Sequence, residues 1–206
     1  MPTSPSPLRS HTPKGRAARD NVVQAAEALL AAHGFHGTSM RDVAEAAGVP
    51  LASLVYHFGK KEQLHAAVLG AIAEDLQARL GRALESEGSH DVRLDALLDA
   101  LLDWTEERPA RVRLLLRELL DNPTRVAKAS HLPLAPVLRT MSAFVAEGRA
   151  PTAPETAVLH VVGALSYVVA SRPTVDRIVG HARAKELAGD YRNEAKRFAK
   201  RALTTR

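Results

Sequence analysis

The chain has 206 residues, 46% of them apolar and 25% charged. That suits one large soluble domain, or a small one attached to a larger one. It has no cysteine, which excludes disulfides and thiolate metal sites and fits a reducing compartment, so a cytoplasmic protein is expected. The net charge of +5 is mild: it permits a polyanionic partner without requiring one.

The charge is unevenly spread. Residues 1–64 hold seven Lys or Arg against five Asp or Glu, residues 65–180 hold 13 against 15, and residues 181–206 hold eight against three. The N-terminus, MPTSPSPLRSHTPKGR, lacks the apolar core of a secretory signal. The most apolar run, AVLHVVGALSYVVA at 157–170, is shorter than the roughly 20 residues that span a bilayer, so no membrane partner is expected.

Residues 1–13 are rich in Pro and Ser with little to bury, and are expected to form a disordered basic arm. Nearly everything after them reads as helix, because Ala and Leu dominate and alternating β-branched runs are absent. A first helix from about Gly15 to His33 places Val22, Ala26, Leu29 and Leu30 on one face. Gly34 follows, in the place of a left-handed cap. A second helix opens at Ser39, where SMRD has the form of a capping box closed by Asp42. Gly48 and Pro50 break the chain, and a short third helix covers about Leu51 to Phe58, with Leu54 and Phe58 inward. Further helices are expected over 61–86, 91–106, 109–121, 133–148, 154–171, 174–188 and 190–203. The breaks between them fall at EGSH, ERPA, DNP, EGRAPTAP, SRP and AGD.

Residues 39–58 therefore have the layout of a helix-turn-helix. With the alanine pair in helix one, GF..TSMRDVA, AAGV and YHFGKKEQL, residues 16–69 resemble the DNA-binding domain of TetR-family transcriptional regulators. The resemblance implies an all-α homodimer. A helix-turn-helix domain at 14–64 binds double-stranded operator DNA, and a larger effector-binding and dimerisation domain occupies 65–206. It implies a ligand-responsive regulator, a repressor released from a pseudo-palindromic operator by a small molecule. The alternative is a module of the same fold that has lost specific DNA binding. Four positions depart from the family pattern: Pro50 where serine is common, Leu51 and Ala52 where a polar residue and a glycine are usual, and Val55 where tyrosine is usual.

The resemblance places Thr38, Ser39 and Arg41 at the start of the helix that crosses the DNA backbone. It places Leu51, Ser53, Val55, Tyr56 and His57 on the outer face of the recognition helix, and Lys61 on a phosphate. In the larger domain Trp104, Phe144 and Tyr167 are candidates for an effector-pocket wall. Arg117 and Glu118 read as a buried ion pair, and His160 as a core histidine. The segment 154–188 is apolar on too many faces for one buried stripe and is expected to form the dimer interface. The last helix is basic and amphipathic. Asp99 and Asp103 share a helix face and read as solvated. No Ser-His-Asp ordering, phosphate loop or ligand cluster stands out, so neither an enzyme, a metal nor a cofactor is expected.

Overall fold

A computed structural model describes residues 13–121, 132–148 and 152–204. The expected arm, apart from Pro13, lies outside them, as do residues 122–123 of the DNP break and 149–151 of the EGRAPTAP break. Among the described residues there are nine α-helices and no strand: α1 (Pro13–His33), α2 (Met40–Ala46), α3 (Leu51–Phe58), α4 (Lys61–Leu84), α5 (His90–Glu107), α6 (Pro109–Asp121), α7 (Ala135–Glu147), α8 (Pro154–Val179) and α9 (His181–Leu203). The all-α expectation holds. The chain divides into two compact units, Met1–Ile72 and Ala73–Arg206, with the boundary inside α4.

The first unit closes around a small core. Val22, Val23, Ala26 and Leu30 of α1 meet Val43 and Ala44 of α2, Leu54 and Phe58 of α3, and Leu64, Val68, Leu69 and Ile72 of α4. Their spacing follows the helical repeat, so each helix presents one apolar stripe to a shared interior. The two alanines Ala44 and Ala47 are buried, and their small side chains let α2 approach its neighbours closely.

In the second unit α8 packs against α5, α6, α7 and α9. Leu94, Leu97, Leu98, Leu101 and Leu102 of α5 supply the largest block of its interior. The buried face of α8 is Ala157, Val158, Val161, Leu165 and Val169, and that of α9 is Ala195, Ala199 and Leu203.

Beside that seam runs an ionic ladder between α5 and α9. Lys200 donates to Asp95 at 2.6 Å, Lys196 to Asp99 at 2.7 Å and Arg192 to Asp103 at 2.7 Å. Arg192 also reaches Glu106 at 3.1 Å. Both helices carry their charges four residues apart and run antiparallel, so the rungs stay in register. Asp99 and Asp103 are thus ion-paired, not merely solvated.

Two expected breaks are absent. Helix α8 runs through Pro173, and α9 runs through Gly189. The chain reverses instead at Gly180, whose φ of +84° suits a residue without a side chain. Ser171 Oγ donates to the Val168 carbonyl at 3.2 Å, a side-chain bond one turn ahead of the proline. At 26 residues, α8 also exceeds the length a bilayer requires, so the shortness of run 157–170 does not decide the question. Two other readings change because neighbours on a helix point about 100° apart: Arg117 is exposed while Glu118 is buried, and His160 is exposed.

Candidate nucleic-acid interface

The site is assembled from the ends of three helices, α2, α3 and α4. At the start of α2, Ser39 Oγ accepts from the Asp42 amide at 3.1 Å, and Asp42 Oδ2 accepts from the Ser39 amide at 2.9 Å. This reciprocal box fixes the entry of the helix. The bonds from Ser39 hold the Asp42 carboxyl below its ordinary pKa.

At the other end of α2, the Val49 amide donates to the Ala44 carbonyl at 2.9 Å and the Gly48 amide to the Glu45 carbonyl at 3.0 Å. These two bonds define a Schellman turn, with Gly48 at φ +64° in its left-handed position. Asn21 Nδ2 donates to the Ala47 carbonyl at 2.9 Å, tying the turn to α1. Pro50 then caps α3 in extended conformation without a side-chain hydrogen bond.

Gly59, at φ +66°, ends α3. Gln63 Oε1 accepts from the Lys60 amide at 2.9 Å and so closes the start of α4. Lys61 Nζ donates to the Thr38 carbonyl at 2.8 Å and lies 4.3 Å from the Phe35 ring centre. The lysine thus joins α4 to the loop before α2. Its ammonium has three protons, so this bond leaves two for other acceptors.

The structure separates the expected contact residues by direction. Leu54 and Phe58 are buried, as expected. Leu51 is 37%, Val55 46% and Tyr56 81% exposed, on the face opposite the core. Ala52 is exposed beside them, and Ser53 is half-buried. Arg41 and Ser39 are exposed at the start of α2. Thr38 does not join this face: it is 3% exposed, and its hydroxyl donates to the Gly34 carbonyl at 2.9 Å. Its side chain closes the end of α1 and cannot reach a ligand. His57 is half-buried, stacked edge-on with Tyr56 at 5.0 Å, and its Nε2 is shielded without a hydrogen-bond partner.

The three pocket candidates are not equivalent. Trp104 is buried, and its indole Nε1 donates to Asp75 at 2.8 Å, a carboxylate that also accepts from Arg111 at 2.8 Å. The Phe144 ring stacks on His90 at 4.3 Å with Arg93 5.3 Å from its centre. Both aromatic groups are committed to partners inside the unit. Tyr167 is 71% exposed, so it does not share an interior wall with them. The buried polar atoms left without a partner are elsewhere, and include Ser142 Oγ and Gln77 Oε1.

Sequence reading missed Asn21, whose one signal is that asparagine is a poor helix former in a run otherwise rich in Ala and Leu. Arg19 places its guanidinium 5.5 Å from the Phe58 ring centre.

An exposed recognition-type helix, set by a Schellman turn and seated on a capped neighbour, defines a helix-turn-helix protein. Residues 22–68 match the family described as bacterial regulatory proteins, tetR family, and the similar proteins support the reading of a TetR-family regulator. It is 34% identical over 94 residues to the HTH-type transcriptional repressor KstR2 of Mycolicibacterium smegmatis, a segment covering 46% of each chain. It is 26% identical over 164 residues to the HTH-type transcriptional regulator RutR of Escherichia coli strain K12, covering 77% of each. Among solved structures, the fatty acid degradation regulator FadR from Bacillus halodurans superposes with a TM-score of 0.70 at 17% identity, covering 87% of this chain and 94% of that one. That last likeness is one of fold.

Proposed function

We propose that the protein is a homodimeric, ligand-responsive, sequence-specific DNA-binding transcriptional regulator that acts as a repressor in the cytoplasm. The observation that carries this reading is the outer face of α3. Side chains that a solvent-facing helix would not need, Leu51, Val55 and Tyr56, are held outward by a core that fixes Leu54 and Phe58 inward. Arg41, Lys60 and Lys61 lie at neighbouring helix starts, where phosphate contacts position a recognition helix. Ser39 and the half-buried Ser53 and His57 complete the proposed contact set. Resemblance to proteins named as transcriptional repressors and regulators supports the same reading.

Exposed apolar residues on the last two helices support dimerisation. Leu159, Tyr167 and Ile178 on α8 and Phe198 on α9 are 58%, 71%, 76% and 49% exposed. Leu159, Gly163 and Tyr167 stand at i, i+4 and i+8, a stripe that a second copy would cover. Such a dimer would present two recognition helices about 34–36 Å apart, matching successive major grooves. The effector would bind in the larger unit, where Ser142 and Gln77 offer polar atoms without partners.

The test is a gel mobility-shift titration on the DNA upstream of the protein's own gene. Tyr56→Ala and Arg41→Ala should each weaken binding. Arg41→Ala should also reduce the slope of log affinity against log salt by about 1. Unchanged binding in both variants contradicts the proposed docking.

A further inference from the structure

We propose that α3 reads its operator mainly through thymine C5-methyl groups, with Leu51, Ala52 and Val55 as the reading side chains. This rests on the DNA-binding reading above and specifies what that surface recognises.

Base reading by paired hydrogen bonds requires particular side chains. Guanine is read by Arg or Lys, adenine by Asn or Gln, and cytosine by Asp or Glu. The sequence of α3, LASLVYHF, contains none of these six residue types. Its polar groups are also poorly placed for bases. Ser53 and His57 are half-buried, and His57 Nε2 is shielded. Tyr56 projects furthest, 81% exposed, with its ring against His57.

What α3 does present is an apolar patch. Leu51, Ala52 and Val55 stand at i, i+1 and i+4, so their side chains share one face. All three are exposed. The thymine methyl is the apolar feature of the major-groove edge. The positive charge that an approaching duplex needs is supplied from outside the helix, by Arg41 on α2 and by Lys60 and Lys61 at the start of α4. The patch is therefore flanked by cations on neighbouring elements and is itself uncharged. That division suits a helix whose neighbours hold phosphates while its own side chains meet bases. A protein partner recognised through apolar contact alone would not need that flanking charge.

Each thymine methyl buried against the patch contributes about what a buried methylene does, equivalent to roughly a 4-fold gain in affinity. One contact in each half-site of a palindrome then amounts to about 15-fold. A further consequence concerns 5-methylcytosine, which carries its methyl at the same ring position as thymine. At a contacted position it would substitute better than unmodified cytosine.

The test starts from the duplex that the purified full-length protein selects from a random pool. That duplex is resynthesised with deoxyuridine in place of every thymidine in the half-sites, which removes only the methyl groups. Fluorescence anisotropy at fixed salt should show the uracil duplex binding about 15-fold or more weakly. A cytosine placed at the most sensitive position should bind weakly, and 5-methylcytosine there should recover part of the loss. Val55→Ala and Leu51→Ala should each shrink the thymine-to-uracil ratio. Both replace an exposed side chain with a strong helix former, so the fold is retained, as circular dichroism will verify. Equal affinity for thymine and uracil duplexes overturns methyl reading while leaving DNA binding intact. If no duplex is selected above background, the DNA-binding reading fails, and this inference fails with it.

Discussion

Gly48 and Gly59 have nearly the same backbone twist, φ +64° and +66°, but different surroundings. A side chain added at Gly48 would meet open space, whereas one at Gly59 would run into Gln63. Gly48→Ala should therefore cost the left-handed strain alone, about 1–2 kcal/mol. Gly59→Ala should cost more, because Gln63 must also release the Lys60 amide that it caps. Amide hydrogen exchange in α2 and α3 checks the order. If Gly48→Ala is the more damaging, the turn is not built as described. Lys61 has a structural role beside the proposed one. The family resemblance assigns it to a phosphate, and in the structure it already spans from α4 to the Thr38 carbonyl and the Phe35 ring. Lys61→Ala should therefore destabilise the first unit by about 1–2 kcal/mol even without DNA. Loss of protection in the amides around Thr38, measured on the free protein, would show it.

At the scale of elements, α2 and α9 are both held by carboxylates with depressed pKa, and both should respond to acid in the same sense. Hydrogen bonds from Ser39 lower the pKa of Asp42, and the bond from Lys200, then that from Lys196, lowers that of Asp95. A carboxyl with a lower pKa in the folded state than in the unfolded state stabilises the fold above the unfolded value. That stabilisation is lost as pH falls through the folded value. Both groups have an ordinary value of 3.8, so the α2 cap and the α5–α9 ladder should persist at pH 5 and weaken below pH 3.8. Exchange at the start of α2 and along α9, followed from pH 6 to pH 3, tests this. The ladder should also weaken in high salt, because its side chains are partly exposed.

The same elements show what was legible in the sequence. Helix starts marked by local chemistry, such as the SMRD box, and ends marked by a left-handed glycine, such as Gly48 and Gly59, emerge within a residue or two. Pro173 and Gly189 misled because a proline costs a helix about 3 kcal/mol and a glycine about 1 kcal/mol, which packing along a long helix can offset. Gly180 reverses the chain without any flanking turn cluster. The ladder was invisible because a basic face four residues apart looks solvated until its partner, about 90–105 residues away, is known. In the candidate site the outward face of α3 was readable from its inward pair. Burial of Thr38 and the tie from Asn21 depend on contacts between helices, which spacing does not encode.

For the whole molecule, the exposed stripe on α8 is the decisive surface. Helix α8 has a mean hydropathy of 1.3 over its most apolar window, of which 22% is buried within the chain. The proposed second copy would cover this apolar surface. Tyr167→Asp and Ile178→Asp place charges in that surface without disturbing the core of the unit. Sedimentation should find these variants monomeric where the parent chain is dimeric, and operator affinity should fall at least 10-fold as one of two half-site contacts is lost. A parent chain that sediments as a monomer contradicts the assignment. The central claim, that the outer face of α3 is a DNA-reading surface, is tested most directly by titrating parent protein and Tyr56→Ala against the upstream duplex over a series of salt concentrations. The account predicts sequence-preferring binding that weakens steeply with salt and is reduced in the variant. Binding that is absent, or that is equal for operator and unrelated DNA, would contradict it.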